Sequence, residues 1–282
     1  MPRGGPKKKS VAAPAVVRTS AKQSAMHAGR QVPALVRAKR ILDYLSIDGR
    51  TEGVSELARS LDLPKSSIHG LCKTLAELGV LARIGPAQFA IGPHVLAWAN
   101  AFQSQSSLIS EFQNLSMGRR ALLKDEALNL TVLSGNSVLY VACRNGSSPL
   151  GLSFRTGMSL PAVFTATGKA MLSTFPVDEV EALCGGPWPK LFTPSSVRSL
   201  KAFKRELEEV RERGYSIDDG QLRQGMFCFG APVFGADSDT AIAGLAVGLL
   251  SVDVTKDTER RYGNDVLRLA NELSRRLGAT RT

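Results

Sequence analysis

The chain has 282 residues, 43% hydrophobic and 22% charged, enough for two domains with cores of their own. Its formal charge of +11 is lopsided, because residues 1–40 carry ten of the 36 Lys and Arg and no acid, leaving 26 bases against 25 acids after Arg40. The run Ala241 to Leu250 has about half the roughly 20 apolar residues a bilayer span needs, and four scattered cysteines with only His27, His69 and His94 make neither a disulfide framework nor a metal set. A soluble cytoplasmic protein without cofactor or metal is expected.

Residues 1–30 are rich in Pro, Gly, Ala, Ser and Lys, with little to bury, and are expected to be a disordered basic arm. The arm is either a solvated tail or a source of extra phosphate contacts. VAAPAVV is short, holds a proline and is soon followed by Arg18 and Lys22, so it does not read as a secretory signal.

Residues 31–93 carry dense local signals. ALVRAKRILDYLSIDG sets Leu35, Ala38, Ile41, Leu42 and Leu45 at helical spacing and exits near Gly49. Ser55 can cap SELARSLD, a two-turn helix burying Leu57, Ala58 and Leu61. Leu63, Pro64 and Lys65 then turn into a second helix, on which Ile68, Leu71, Cys72, Leu75 and Leu78 form one stripe. Ser66, Gly70, Lys73 and Glu77 lie opposite, with His69 beside them. Two short helices joined by a tight turn, the second with a polar face, predict a helix-turn-helix whose second helix enters the major groove. VLARI, the turn at Gly85 and Pro86, and QFAIG predict a hairpin wing that adds backbone contacts through Arg83 and Gln88. The competing reading is a three-helix domain with no nucleic-acid role.

Residues 94–112 read as one linking helix with Trp98, Phe102, Ile109 and Phe112 near one face, as core or as a dimer seam. Over 113–282 the pattern becomes mixed. A helix through MGRRALLKDEA precedes the strands LNLTVLS and SVLYVAC, paired about Gly135 and Asn136. LGLSF, the helix TATGKAMLSTF, the charged helix VRSLKAFKRELEEVRERG, the strands YSID, FCFGAPVF and AIAGLAVGLL, and a final helix from about Lys256 to Leu277 follow. The order predicts an α+β domain with an antiparallel or mixed sheet, flanking helices and room for a pocket.

Enzyme signatures are weak. GLSFRTG is not a G-x-S-x-G elbow, and ATGKA lacks the first glycine and the final Ser/Thr of a P-loop, so Lys169 is expected on a helix surface. Asp218 and Asp219 are adjacent on a strand and should point to opposite sides. Cys228, among Phe227, Phe229 and Ala231, reads as an inert buried thiol or a ligand contact.

VPALVRAKRILD, VSELARSLDLPKSSIHGLCKTLAELGVL, LPAVFTATGKAML and RGYSIDDGQLRQGMFCFGAPVF, with the closing strand and helix, resemble the IclR family of bacterial transcription regulators over nearly all of Val32 to Gly278. The resemblance implies a GAF-like effector-binding domain (113–282). That domain would control how a homodimer or dimer of dimers sits on a palindromic double-stranded operator, in repression or activation. It maps the DNA-binding residues on Lys65, Ser66, Ser67, His69, Gly70 and Lys73, with Arg40 and Arg83 beside them. It maps the effector site on Val163, Thr165, Ala166, Thr167, Asp218, Cys228, Ala246 and Gly248.

Three departures qualify the match. Gly70 stands where members often carry arginine, which either lets the helix backbone approach the groove closely or reflects drift at a position of little weight. Val163 replaces a frequent histidine, and Ala246 and Gly248 replace serines, which implies either a bulkier, partly apolar or aromatic acid as effector or a degenerate pocket. The alternative to a regulator is a small-molecule sensor or enzyme domain with a vestigial helix-turn-helix.

Overall fold

The computed structural model describes residues 32–118, 126–144, 146, 154–236 and 238–280. The basic arm at 1–30, most of the helix expected through MGRRALLKDEA, and all of LGLSF but Phe154 lie outside the described residues. The rest forms two compact units, 32–105 and 106–280.

The first unit begins with α1 (Pro33–Ser46), which has proline in its first turn and buries Ile41 and Leu45. α2 (Val54–Leu61) starts from Gly53, not from a capping Ser55, and ends on Asp62 in the left-handed region, φ 49°. That residue turns the chain tightly enough for Leu63 N–H to reach the Ala58 carbonyl at 3.0 Å. α3 (Lys65–Glu77) follows, burying Ile68 and Cys72 as the stripe requires. Leu78 departs from the stripe: it ends the helix and is exposed.

The hairpin of β2 (Leu81–Ile84) and β3 (Gln88–Ile91) is joined by β1 (Glu52–Gly53) in the order β1-β3-β2. Leu57, Ile68, Leu81 and Phe89 close the core between helices and hairpin.

The linking helix is two helices. α4 (Val95–Gln105) buries nothing and exposes Leu96, Trp98 and Phe102. α5 (Ser107–Gly118) starts afresh after Ser106, whose Oγ accepts from Ile109 N–H at 3.3 Å. Ile109 and Phe112 therefore join the core of the second unit while Trp98 and Phe102 stay outside it.

The second unit is built on a six-stranded sheet in which every neighbouring pair is antiparallel. Its strands are β4 (Ala127–Ser134), β5 (Ser137–Arg144), β6 (Ser159–Pro161), β7 (Ser216–Asp219), β8 (Met226–Val233) and β9 (Ala243–Leu250), in the order β6-β5-β4-β9-β8-β7. Alternation along each strand feeds two cores. Leu128, Leu130, Phe229 and Leu245 meet Phe112 of α5 and Val266 and Leu273 of α9 (Lys256–Arg276). On the other face, Tyr140, Cys228 and Ala246 meet residues of α6 (Ala166–Leu172), α7 (Val177–Cys184) and α8 (Leu200–Arg213), among them Met171, Val180 and Phe203. Both faces are covered, so β8 and β9 are apolar almost throughout.

Candidate functional site

In the first unit, the outward face of α3 presents Lys65, Ser66, His69, Gly70 and Lys73, all exposed. A Cβ built on Gly70 would meet nothing within 4 Å, so the helix backbone is bare there. Lys73 stands 3.9 Å from Glu77, an exposed pair too weak to withdraw its charge. Two residues of the expected set are engaged inside the unit. Half-buried Ser67 accepts from the Arg37 guanidinium at 3.2 Å, and the Arg40 guanidinium donates to the Leu61 carbonyl at the end of α2. Arg83 is exposed on the wing with its guanidinium over the Phe89 ring.

In the second unit, α6 lies directly on the sheet because the residues beneath it are glycines. A Cβ on Gly230 would sit 2.6 Å from the Ala166 carbonyl carbon, and one on Gly244 would sit 2.8 Å from Thr167 Cβ. Ser216 Oγ donates to the Ala166 carbonyl at 2.5 Å and pins the start of the helix, while Thr165 Oγ1 accepts from Gly168 N–H at 3.1 Å and caps it. Gly230→Ala is expected to destabilise this unit by about 1 to 3 kcal/mol, since backbone has to give way. A lowered urea midpoint, with the first unit's own transition unmoved, checks it.

Between α6 and the sheet lies one cavity. It is bordered by Asn129 and Ala246 of the cross-strand row Asn129–Ala246–Gly230–Ser216 and by Cys228 and Asp218 of the row Ala127–Gly248–Cys228–Asp218. The space there, with the solvent at its open mouth counted, is about 250 Å³.

Six of the eight expected effector residues line the cavity: Thr165, Ala166, Thr167, Asp218, Cys228 and Ala246. Val163 and Gly248 do not. Val163 sits in the short turn before Thr165 with its side chain in the apolar core, and Gly248 has no side chain to extend from its row. The cavity adds five residues the sequence reading missed: Asn129, Tyr140, Phe154, Leu222 and Met226. Asn129 was the legible one, a polar residue amid the apolar strand LNLTVLS. Tyr140 and Phe154 stack at 5.1 Å with their planes 10° apart, forming an aromatic wall.

The electrostatics centre on Asp218, which is 1% exposed while Asp219 faces out. Burial pushes its carboxyl up to about 6, against the opposing pull of the Lys169 cation and of the Gln221 and Leu222 backbone N–H groups. Gln221 N–H donates to Asp218 Oδ1 at 2.7 Å. Lys169 is not the surface residue expected. It is 1% exposed, with Nζ 2.6 Å from Glu206 Oε2 and donating to the Ile217 carbonyl at 3.0 Å. Its seven-residue helix is buried throughout, so a lysine there needs a partner. Burial drives the Cys228 thiol well above its ordinary range and keeps it protonated. Among the described residues no group of three His, Cys, Asp or Glu could hold a metal, and no helix is long and apolar enough to cross a membrane.

A winged helix-turn-helix head followed by an α+β unit that carries a cavity is the architecture of a DNA-binding regulator with a second, separate unit. Residues 34–85 match the family model for the IclR helix-turn-helix domain, and residues 99–275 the model for the bacterial transcriptional regulator IclR C-terminal domain. The chain belongs to the IclR family of bacterial transcriptional regulators. The repressor BlcR of Agobacterium tumefaciens, solved as a crystal structure, is 42% identical, with 88% of this chain and 98% of that one covered and a TM-score of 0.58. The HTH-type transcriptional repressor AllR of Klebsiella pneumoniae is 28% identical over 254 residues, 87% of this chain and 90% of the repressor. The transcriptional repressor IclR of Escherichia coli strain K12 is 25% identical over 256 residues, 89% of this chain and 92% of that one.

Proposed function

We propose that this protein is a sequence-specific transcriptional regulator whose head binds a two-fold symmetric operator and whose second unit changes that affinity when a small molecule fills its cavity. One observation carries the reading: the second helix of the helix-turn-helix presents an exposed polar and basic face, Lys65, Ser66, His69 and Lys73, around a bare Gly70. The relatives named above are called repressors, which supports repression as the direction of control. We read the cavity as a sensor, not a catalytic centre, because its thiol is held protonated and the nearby Lys169 is paired with Glu206.

The effector class is read from the lining. Of the three departures from which a bulkier, partly apolar or aromatic acid is expected, only Ala246 lines the cavity, while Tyr140, Phe154, Leu222 and Met226 supply apolar surface there.

Two-fold binding requires a dimer, and the exposed Leu96, Trp98 and Phe102 of α4 are the apolar surface we assign to it. Selection of bound fragments from genomic DNA, with footprinting, should return a palindromic site that unrelated DNA does not displace. Trp98→Glu with Phe102→Glu should shift the sedimenting species toward monomer and shorten the footprint to one half-site. Equal competition by unrelated DNA would count against a sequence-specific regulator.

A further inference from the structure

Glycine is the weakest helix former after proline, so one placed inside a helix needs a reason. Gly168 of α6 and Gly263 of α9 have theirs: a Cβ on the first would collide with the Ala162 backbone, and one on the second with the Tyr215 ring. Gly70, in the N-terminal half of α3, has none of this kind. It is exposed, its φ is not positive, and a Cβ there would meet nothing within 4 Å. The head alone would accept alanine and gain from it. Nothing in the fold asks for glycine at this place, which leaves whatever α3 docks against.

The neighbours show how close that docking is. Ser66 precedes Gly70 by one turn on the outward face, and its hydroxyl stands only two bonds from the helix backbone. A base edge bonded to Ser66 is therefore almost in contact with the backbone itself. Lys73, one turn beyond Gly70, keeps its Nζ 3.9 Å from Glu77 and so leans away, and the Ser67 Oγ accepts from Arg37. The surface over Gly70 stays open. It is also apolar, because inside a helix the backbone N–H and C=O groups are bonded to each other and only the Cα methylene faces outward.

One group on the major-groove edges of the base pairs is apolar, the C5-methyl of thymine. Resting on the reading of α3 as the operator helix, we propose that Gly70 reads a T·A pair by seating that methyl against its Cα, and that the missing Cβ sets how deeply α3 enters the groove. Gly70 is then a specificity-determining residue with no side chain. Alanine at this position sets two effects against each other. It should raise the melting temperature of the head by roughly 4 to 8 °C, since the helix gains a better former with room for its methyl. It should also lower operator affinity about tenfold or more, since the new Cβ holds Ser66 off its base. A glycine of no weight in recognition predicts the first effect alone.

The test uses the full chain and the operator duplex recovered by selection from genomic DNA, in gel shifts at one salt concentration, with thermal melts of the free protein. Each thymine is replaced in turn by deoxyuridine, which lacks only the methyl; where binding responds, the pair is changed to C·G carrying cytosine or 5-methylcytosine. The expected result is one position in each half-site where deoxyuridine weakens native binding about threefold to fivefold, where 5-methylcytosine outbinds cytosine, and where Gly70→Ala binds thymine and deoxyuridine alike. Unchanged operator affinity in Gly70→Ala, with Ser66→Ala still shifting base preference, overturns the proposal and leaves α3 as the reading helix. Deoxyuridine tolerated at every position, or a deoxyuridine effect that persists in Gly70→Ala, overturns it too, because the methyl is then unread or read by another group. A lower melting temperature in Gly70→Ala would give the glycine a role in the fold and count against the proposal equally. A native chain that prefers no duplex over unrelated DNA would remove the regulator reading itself, and this proposal with it.

Discussion

Asp218→Asn is expected to stabilise the protein at neutral pH and to make its stability indifferent to pH where the native chain is sensitive. The folded-state value of about 6 lies above the ordinary 3.8. Below about pH 4 the carboxyl is protonated in both folded and unfolded chains, and its titration costs nothing. Between about pH 4 and 6 the unfolded chain releases the proton and the folded chain retains it, so stability falls as pH rises through that window. Above it the full penalty of about 3 kcal/mol remains, two pH units at about 1.4 kcal/mol each.

Asparagine keeps an oxygen for the Gln221 N–H now bonded to Asp218 Oδ1 and carries no charge to desolvate. The variant should gain up to about 3 kcal/mol at pH 7.5 and nothing at pH 4. Urea midpoints at the two pH values measure this; equal gains at both would mean that the buried charge is not the cause. A ligand that donates to the ionised carboxylate should bind the native protein more tightly as pH rises through 6, and bind the variant without that slope.

The second large effect is expected on α3. Ser66→Ala and His69→Ala should each change which base pairs are preferred, at about 1 to 3 kcal/mol of discrimination, roughly 5- to 150-fold, because a short polar side chain on the outward face reads base edges. Lys65→Ala and Lys73→Ala should lower affinity for all sequences alike and reduce the salt slope by about one each, because lysines at the rim neutralise phosphates. Ser67→Ala should change preference least, since Ser67 is half-buried and its Oγ already accepts from Arg37. Binding to a panel of single-base operator variants at two salt concentrations separates the classes. A uniform loss for all five variants would mean that α3 does not read sequence.

Much of this architecture was legible in the sequence because it is set by local chemistry. Apolar spacing together with turn residues located α1, α2 and α3, turn residues located the β2–β3 hairpin, and the closing helix was expected from about Lys256 to Leu277, where α9 lies. Even the opposite facing of Asp218 and Asp219 follows from the two-residue period of a strand. The motifs that mark the family are likewise short and contiguous, so they survive being read one window at a time.

Only the tertiary structure decided how distant segments meet. β9 inserts between β4 and β8, and its register sets Ala246 opposite Asn129 and Gly248 opposite Cys228; nothing within any one strand specifies that pairing. Asn129, Tyr140, Phe154, Leu222 and Met226 therefore escaped notice, since each becomes part of a cavity only through neighbours scattered along the chain. Val163 failed in the opposite way: chain proximity to Thr165 suggested the cavity, and the turn at 162–164 sends its side chain into the core. The break at Ser106 is likewise decided by packing, because Ile109 and Phe112 are drawn into the second unit's core while Trp98 and Phe102 are not. Periodicity measures which residues seek burial. Which surface buries them is a property of the assembled fold.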